Sequence, residues 1–316
     1  MRYRLINGTD LNVSEIALGT WVFGGREWGE TDDAVSIKVI QAAYDNGINF
    51  IDTAPIYGLG RSEEVVGKAI RSIGVKMIVA TKCGLDPAGG AIPFIDLSPA
   101  FIRKEVESSL RRLGVDVIDL YQCHWPDKKA PIEDTFGEMS KLVREGKIRY
   151  VGVSNFGKDL IERALKIMPI VSEQVRYSVV EREIEAEILP FCKEKNISVL
   201  SYGSLGGGLM TGKYAERPDF PKNDVRSFFY KYYKEPFFPR AQKILAVLSE
   251  VALCRGVRVQ GAAIAWVLRK SEIAACIIGA RTPEQVCDNI KCVGWDLSCD
   301  EIDRIENEYK RIFPRE

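Results

Sequence analysis

Residues 116–127 read "DVIDLYQCHWPD". A short run rich in Val, Ile and Leu stops at His124, and a polar segment containing Pro126 follows. A run this short, largely apolar on both faces, is the signature of a strand buried in a parallel sheet, because both sides of such a sheet are covered. His124 is the only histidine in 316 residues, and it stands at the end of that strand.

The same signature recurs at "SEIALG" (14–19), "INFIDTA" (48–54), "KMIVATK" (76–82), "IRYVGVSN" (148–155), "PIVSEQV" (169–175), "ISVLSYG" (197–203) and "AACIIGA" (274–280). Longer amphipathic segments lie between these runs. "TDDAVSIKVIQAAYDNG" (31–47) opens on a Thr/Asp cap and closes on Gly47, as a helix should. Segments 62–72, 98–114, 131–146, 157–167, 183–196, 241–256, 260–270 and 282–290 continue the helical pattern. Strands and helices therefore alternate along the chain, which predicts a parallel sheet.

A doubly wound sheet usually holds about five or six strands and opens on a Gly-rich phosphate turn. Here the first strand leads into "LGTWVFGGREWG" (18–29), which lacks the G-x-G-x-x-G spacing. Eight strand–helix units in about 300 residues fit a closed (β/α)8 TIM barrel better. "YRLINGTDLNVS" (3–14) predicts an N-terminal β-hairpin turning at Asn7-Gly8 and plugging the bottom of the barrel. No low-complexity linker divides the chain, so a single domain over residues 1–316 is expected.

With 44 basic and 44 acidic residues the formal charge is zero, which leaves no electrostatic footprint for nucleic acid or an anionic membrane. No stretch approaches the roughly 18 apolar residues of a membrane span, and the N-terminus has no apolar signal core. Eight cysteines without a C-x-x-C pair are expected to be reduced, mostly buried thiols of a cytoplasmic protein. One histidine makes a zinc cluster, and with it a metal-dependent hydrolase, a poor fit.

In a (β/α)8 barrel the active site sits at the C-terminal ends of the strands. Asp52 ends the second strand, with Tyr57 in the loop after it; Lys82 ends the third and His124 the fourth. Ser154 and Asn155 end the fifth, Gln174 lies on the sixth and Tyr202 on the seventh. A phenol has a reference pKa near 10, too high for easy proton exchange at neutral pH. A neighbouring ammonium favours the phenolate, and a carboxylate holds that ammonium in place. A neutral imidazole can hydrogen-bond and orient a carbonyl oxygen. The set suits protonation of an alkoxide as hydride attacks a carbonyl.

"DTAPIYGLGRSEEVVGKAI", "ATK", "LYQCHWPD", "VGVSNF" and "YGSLGGGLMTGK" resemble the signature segments of the aldo-keto reductase family, and the likeness runs almost the whole length. "LGTW.FGG..WG" and "CHWPD" resemble the bacterial general aldo-keto reductases of the inositol-operon and stress-induced type. The resemblance implies a nicotinamide cofactor without a Rossmann fold and a catalytic tetrad of Asp52, Tyr57, Lys82 and His124. Tyr57 would be the general acid, Lys82 paired with Asp52 would support it, and His124 would orient the carbonyl.

The resemblance also assigns the cofactor residues. Gly19, Thr20, Trp21 and Asp52 border it. Ser154, Asn155 and Gln174 match the holders of the nicotinamide carboxamide, and Tyr202 the aromatic that stacks on the ring. Gly203, Ser204, Leu205, Gly207 and Lys213 match the pyrophosphate segment, which lacks the family's frequent Pro. Gly279, Arg281, Gln285 and Asn289 match the adenosine end.

Arg281 offers a donor fork suited to a phosphate, beside a helix start at Thr282, so NADPH is expected in preference to NADH. Many family members place a Lys where Gly279 stands, which makes the expected preference moderate. Trp21, Tyr57, His124 and Trp125, with Trp28 and Phe94, are expected to line the pocket for a small carbonyl substrate.

A cofactor-sensing regulatory subunit of the same fold is the alternative function. "YKYYK" (230–234) carries the Tyr-x-x-x-Lys spacing of short-chain dehydrogenases but lacks their Gly-rich turn, and reads as surface or lid.

Overall fold

In the computed structural model, which describes residues 1–25, 28–90 and 93–314, the chain opens with β1 (Tyr3–Leu5), β2 (Asn12–Ser14) and β3 (Ile16–Gly19). There follow α1 (Asp33–Asp45), β4 (Phe50–Asp52), α2 (Arg61–Ile73), β5 (Ile78–Cys83), β6 (Leu85–Asp86) and β7 (Phe94–Ile95). Next come α3 (Pro99–Leu113), β8 (Ile118–Cys123), α4 (Ile132–Arg144), β9 (Ile148–Ser154), α5 (Lys158–Leu165) and β10 (Ser172–Arg176). The remainder is α6 (Ile188–Glu194), β11 (Ser198–Tyr202), α7 (Val225–Phe228), α8 (Phe237–Cys254), α9 (Val259–Leu268), β12 (Ile273–Gly279), α10 (Pro283–Ile290) and α11 (Cys299–Ile312).

Eight parallel strands close on themselves in the order β3, β4, β5, β8, β9, β10, β11, β12, with β12 returning to β3. This is the expected (β/α)8 barrel. Inside it, alternate residues meet in one apolar cluster that includes Ala17, Phe50, Ala80, Leu120 and Leu200. Ile6, Leu11 and Val13 of the β1–β2 hairpin are buried in that same cluster, so the hairpin closes the bottom of the barrel. Gly8 takes the left-handed conformation that the hairpin turn needs. The opposite strand faces meet the helices in the larger core.

Helix boundaries follow their local chemistry. In α3 the Ser98 hydroxyl caps the Phe101 amide, Pro99 stands in the first turn, and Gly114 ends the helix in the left-handed region.

The sequence pattern did not reveal the β6–β7 hairpin at the mouth, nor α7 in the long segment between β11 and α8. No single described helix is long and apolar enough to cross a membrane. The eight cysteines are free thiols, five of them buried.

Candidate active site

The strand ends surround a cavity of about 1510 Å³, larger than most pockets for drug-sized ligands. Asp52 ends β4, and its backbone carbonyl accepts from the Thr20 amide (3.0 Å) and hydroxyl (2.9 Å). Thr20 therefore does not border the cavity. It is fully buried and helps to fix Asp52, with Ser62 behind it at 2.8 Å.

Lys82, fully buried on β5, brings its Nζ to both carboxylate oxygens of Asp52, at 2.8 and 2.7 Å. The same ammonium donates to the Thr53 carbonyl at 3.0 Å and approaches the Tyr57 hydroxyl at 3.4 Å. Burial pulls the Lys82 ammonium below its ordinary value, and the Asp52 carboxylate opposes that shift.

The loop carrying Tyr57 is held by backbone contact. A Cβ on Gly24 would come within 2.6 Å of the Gly58 amide nitrogen, and one on Gly58 within 2.5 Å of the Gly24 carbonyl. Only glycine at both positions lets the turn after β3 press against the Tyr57 loop. Trp21, on that turn, stacks on the Tyr57 ring at 5.7 Å and 19°.

His124 follows β8 and presents its ring edge-on to Tyr57 at 5.9 Å. Burial, helped by the Lys82 charge, holds this imidazole well below its ordinary pKa, so it is neutral at physiological pH. A neutral imidazole beside a phenol and a buried ammonium can donate a hydrogen bond to a carbonyl oxygen.

A polar ring continues round the rim. The Gln174 amide donates to Asp52 at 2.7 Å, and the Ser154 hydroxyl donates to the Gln174 carbonyl at 2.8 Å. Asn155 has a positive φ of 61°. Its amide nitrogen reaches the His124 carbonyl at 3.2 Å, while its oxygen accepts from the Tyr202 hydroxyl at 2.8 Å.

After β11, Gly206, Gly207 and Gly208 all have positive φ. A Cβ on Gly207 would lie 3.0 Å from the Tyr230 ring, so this bare turn packs directly on that tyrosine. Gly203, Ser204, Leu205, Gly207 and Lys213 border the cavity here; Gly279, Arg281, Gln285 and Asn289 border its far end, and Gly19 its side.

Among the described lining residues, five side chains are cationic, Lys213, Lys222, Arg226, Arg258 and Arg281, against the carboxylates of Asp52 and Asp288. Asp52 is neutralised by Lys82, Asp288 pairs with Arg258 and Arg226 with Asp224, so the surplus among the described residues is Lys213, Lys222 and Arg281. A bare-backbone turn with surplus positive charge fits the pyrophosphate and phosphate groups of a nicotinamide dinucleotide. Arg281 also ties the loop after β3 to the rim, donating to the carbonyls of Trp28 (2.7 Å) and Glu30 (2.6 Å).

The structure brings Trp21, Trp28 and Trp125 to the cavity wall. Phe94 stands apart: on β7 it is 63% exposed and outside the lining. Sequence reasoning missed Phe229, whose ring meets Trp21 edge-on at 5.6 Å. Of the two readings of "YKYYK", surface or lid, the second is the one that fits. Tyr230, Tyr232 and Tyr233 are buried, and Tyr230 lines the cavity, so this stretch is part of a covering strap and not free surface. The signal available was its aromatic density, unusual for a solvated loop.

A model of the Aldo/keto reductase family matches residues 15–310. The chain is 42% identical over 304 residues to aldo-keto reductase YhdN of Bacillus subtilis (strain 168), covering 95% of this chain and 91% of that protein. It is 35% identical over 308 residues to the NADH-specific methylglyoxal reductase of Escherichia coli (strain K12), covering 92% and 93%. The structure of the glycerol dehydrogenase AKR11B4 from Gluconobacter oxydans matches with a TM-score of 0.92 at 41% identity, over 99% of this chain and 97% of that one. A closed barrel with a buried Lys–Asp pair under one tyrosine, matched along nearly its whole length, makes the chain a member of the aldo/keto reductase family, an oxidoreductase acting on carbonyl groups.

Proposed function

We propose that the chain is an NADPH-dependent carbonyl reductase in which Tyr57 is the general acid, Lys82 and Asp52 support it, and His124 orients the substrate. The observation that carries this reading is the contact of one buried ammonium with both Asp52 oxygens and with the Tyr57 hydroxyl. When bound, the reduced nicotinamide supplies a hydride to the carbonyl carbon. Ser154, Asn155 and Gln174 would hold its carboxamide, Tyr202 would stack on its ring, and Gly203, Ser204, Leu205, Gly207 and Lys213 would follow its pyrophosphate.

As negative charge grows on the carbonyl oxygen, the Tyr57 hydroxyl donates its proton there. The Lys82 ammonium then lies beside the phenolate left behind and stabilises it. Asp52 keeps the ammonium charged and in place. The neutral His124 imidazole donates a hydrogen bond to the same substrate oxygen, and Trp21, Trp28 and Trp125 exclude water. In the oxidative direction the Tyr57 phenolate takes the proton back.

Preference for NADPH is supported by Arg281, Gln285 and Asn289 at the far end of the cavity, beside the N-terminus of α10. Two of the Arg281 donors already serve loop carbonyls, and no Lys stands at Gly279, so the preference is moderate and NADH is a weaker alternative. Following NADPH oxidation with a panel of aldehydes, ketones and keto-sugars tests the reading. Turnover of several carbonyls is expected; no turnover of any, by protein that binds NADPH, would overturn it.

A further inference from the structure

Residues 154–156 carry the proposed carboxamide holders, yet the turn they make is not self-supporting. Asn155 sits at φ 61°, a region that Asn tolerates better than other residues with a side chain but does not hold without supporting contacts. β10 supplies the fixing from two consecutive residues that face opposite ways. From Gln174, whose side chain faces the cavity, the backbone carbonyl accepts from the Asn155 backbone amide at 3.1 Å and from the Ser154 hydroxyl at 2.8 Å. On the other side Glu173, fully buried, accepts the Phe156 amide at 3.0 Å. Phe156 is itself buried and packs edge-on against Phe136 at 6.4 Å. Its amide lies away from water, where losing a partner is costly.

We infer that Glu173 is a positioning residue for cofactor binding: by capping the Phe156 amide it locks Asn155 in its left-handed turn, and so aims the Asn155 side chain between His124 and Tyr202. The inference rests on the reading of Ser154 and Asn155 as carboxamide holders. A carboxyl group is a costly choice for a fully buried strand position, where an apolar residue would pack without penalty. Burial pushes the Glu173 carboxyl well above the usual carboxylate range, and the Phe156 amide opposes that shift. What it supplies to the turn is one acceptor oxygen of the right reach, which an amide oxygen also offers.

This separates two substitutions of similar size. Glu173→Gln keeps the acceptor oxygen and is expected to bind NADPH within about twofold of the parent. Glu173→Leu removes the acceptor and is expected to weaken NADPH binding about tenfold. Dissociation constants are read by tryptophan-fluorescence titration with NADPH, and unfolding midpoints are taken alongside. A role in packing alone would lower the midpoint and leave the affinity of the folded protein unchanged. If Glu173→Leu does not fold, Glu173→Asp carries the comparison, because it keeps the carboxyl but is one methylene too short to span the same distance.

Parental affinity in every folded variant that shortens or removes the acceptor overturns the inference, as does a tenfold loss in Glu173→Gln. Failure of the underlying reading would look different: Asn155→Ala would then bind NADPH as the parent does.

Discussion

Replacing Lys82 by Met keeps most of the side-chain volume and removes the buried ammonium. Asp52, whose side chain is only 4% exposed, then keeps the Gln174 amide as a side-chain partner and loses two bonds of 2.7 and 2.8 Å to Lys82. Breaking a buried ion pair by removing one partner typically costs about 3–5 kcal/mol, because the remaining charge is stranded. For a chain of this size that corresponds to a drop in Tm on the order of 5–8 °C. Removing both charges in Lys82→Met/Asp52→Leu leaves no stranded charge, so most of that stability should return.

Activity should not follow stability, since both variants lack the group that stabilises the Tyr57 phenolate. Thermal and urea unfolding of the parent, the single and the double variant, beside NADPH-dependent turnover, make the comparison. A single variant as stable as the parent, or a double variant no more stable than the single, would refute the claim that Lys82 and Asp52 are a mutually dependent buried pair.

Other outcomes follow from the same geometry. His124 has a depressed folded pKa, so below the unfolded value near 6.5 the unfolded chain takes up a proton that the folded chain refuses. Stability should therefore fall as pH drops through about 6.5, by up to about 1.4 kcal/mol per unit, and His124→Asn, compared by urea unfolding at pH 7.5 and 5.5, should lose less over that interval. Arg281→Ala should raise the NADPH dissociation constant about tenfold and that of NADH less; an equal effect on both would remove the phosphate assignment. Gly207→Val places a side chain at φ 64° against the Tyr230 ring and should weaken the binding of either dinucleotide while leaving far-UV dichroism unchanged.

The barrel was legible because buried parallel strands carry their own signature and because the helices between them are capped by local residues such as Ser98 and Gly114. The rim positions of Asp52, Lys82, His124, Ser154 and Gln174 followed from that, since a strand end in a barrel is a place at the mouth. Thr20 shows where such reasoning stops. Its neighbours Gly19 and Trp21 border the cavity, but Thr20 turns inward to the Asp52 carbonyl, and only the path of the turn decides which way it faces. Phe229 was illegible for a similar reason: its segment has no strand or helix period, and its place over the cavity is set by contacts with Trp21 and Arg176. Glu173 was illegible because it faces away from the cavity, and nothing in the sequence tells that its carboxyl reaches the Phe156 amide one strand away.

In the proposed reaction the Tyr57 hydroxyl delivers the proton during carbonyl reduction. Single-turnover oxidation of pre-bound NADPH by an aldehyde, followed at the nicotinamide absorbance in the parent and in Tyr57→Phe, tests it most directly, because the substitution deletes one oxygen from the site. The rate should fall about 100-fold or more, with the NADPH dissociation constant within about twofold of the parent. Hydride transfer by Tyr57→Phe at the parental rate would contradict it.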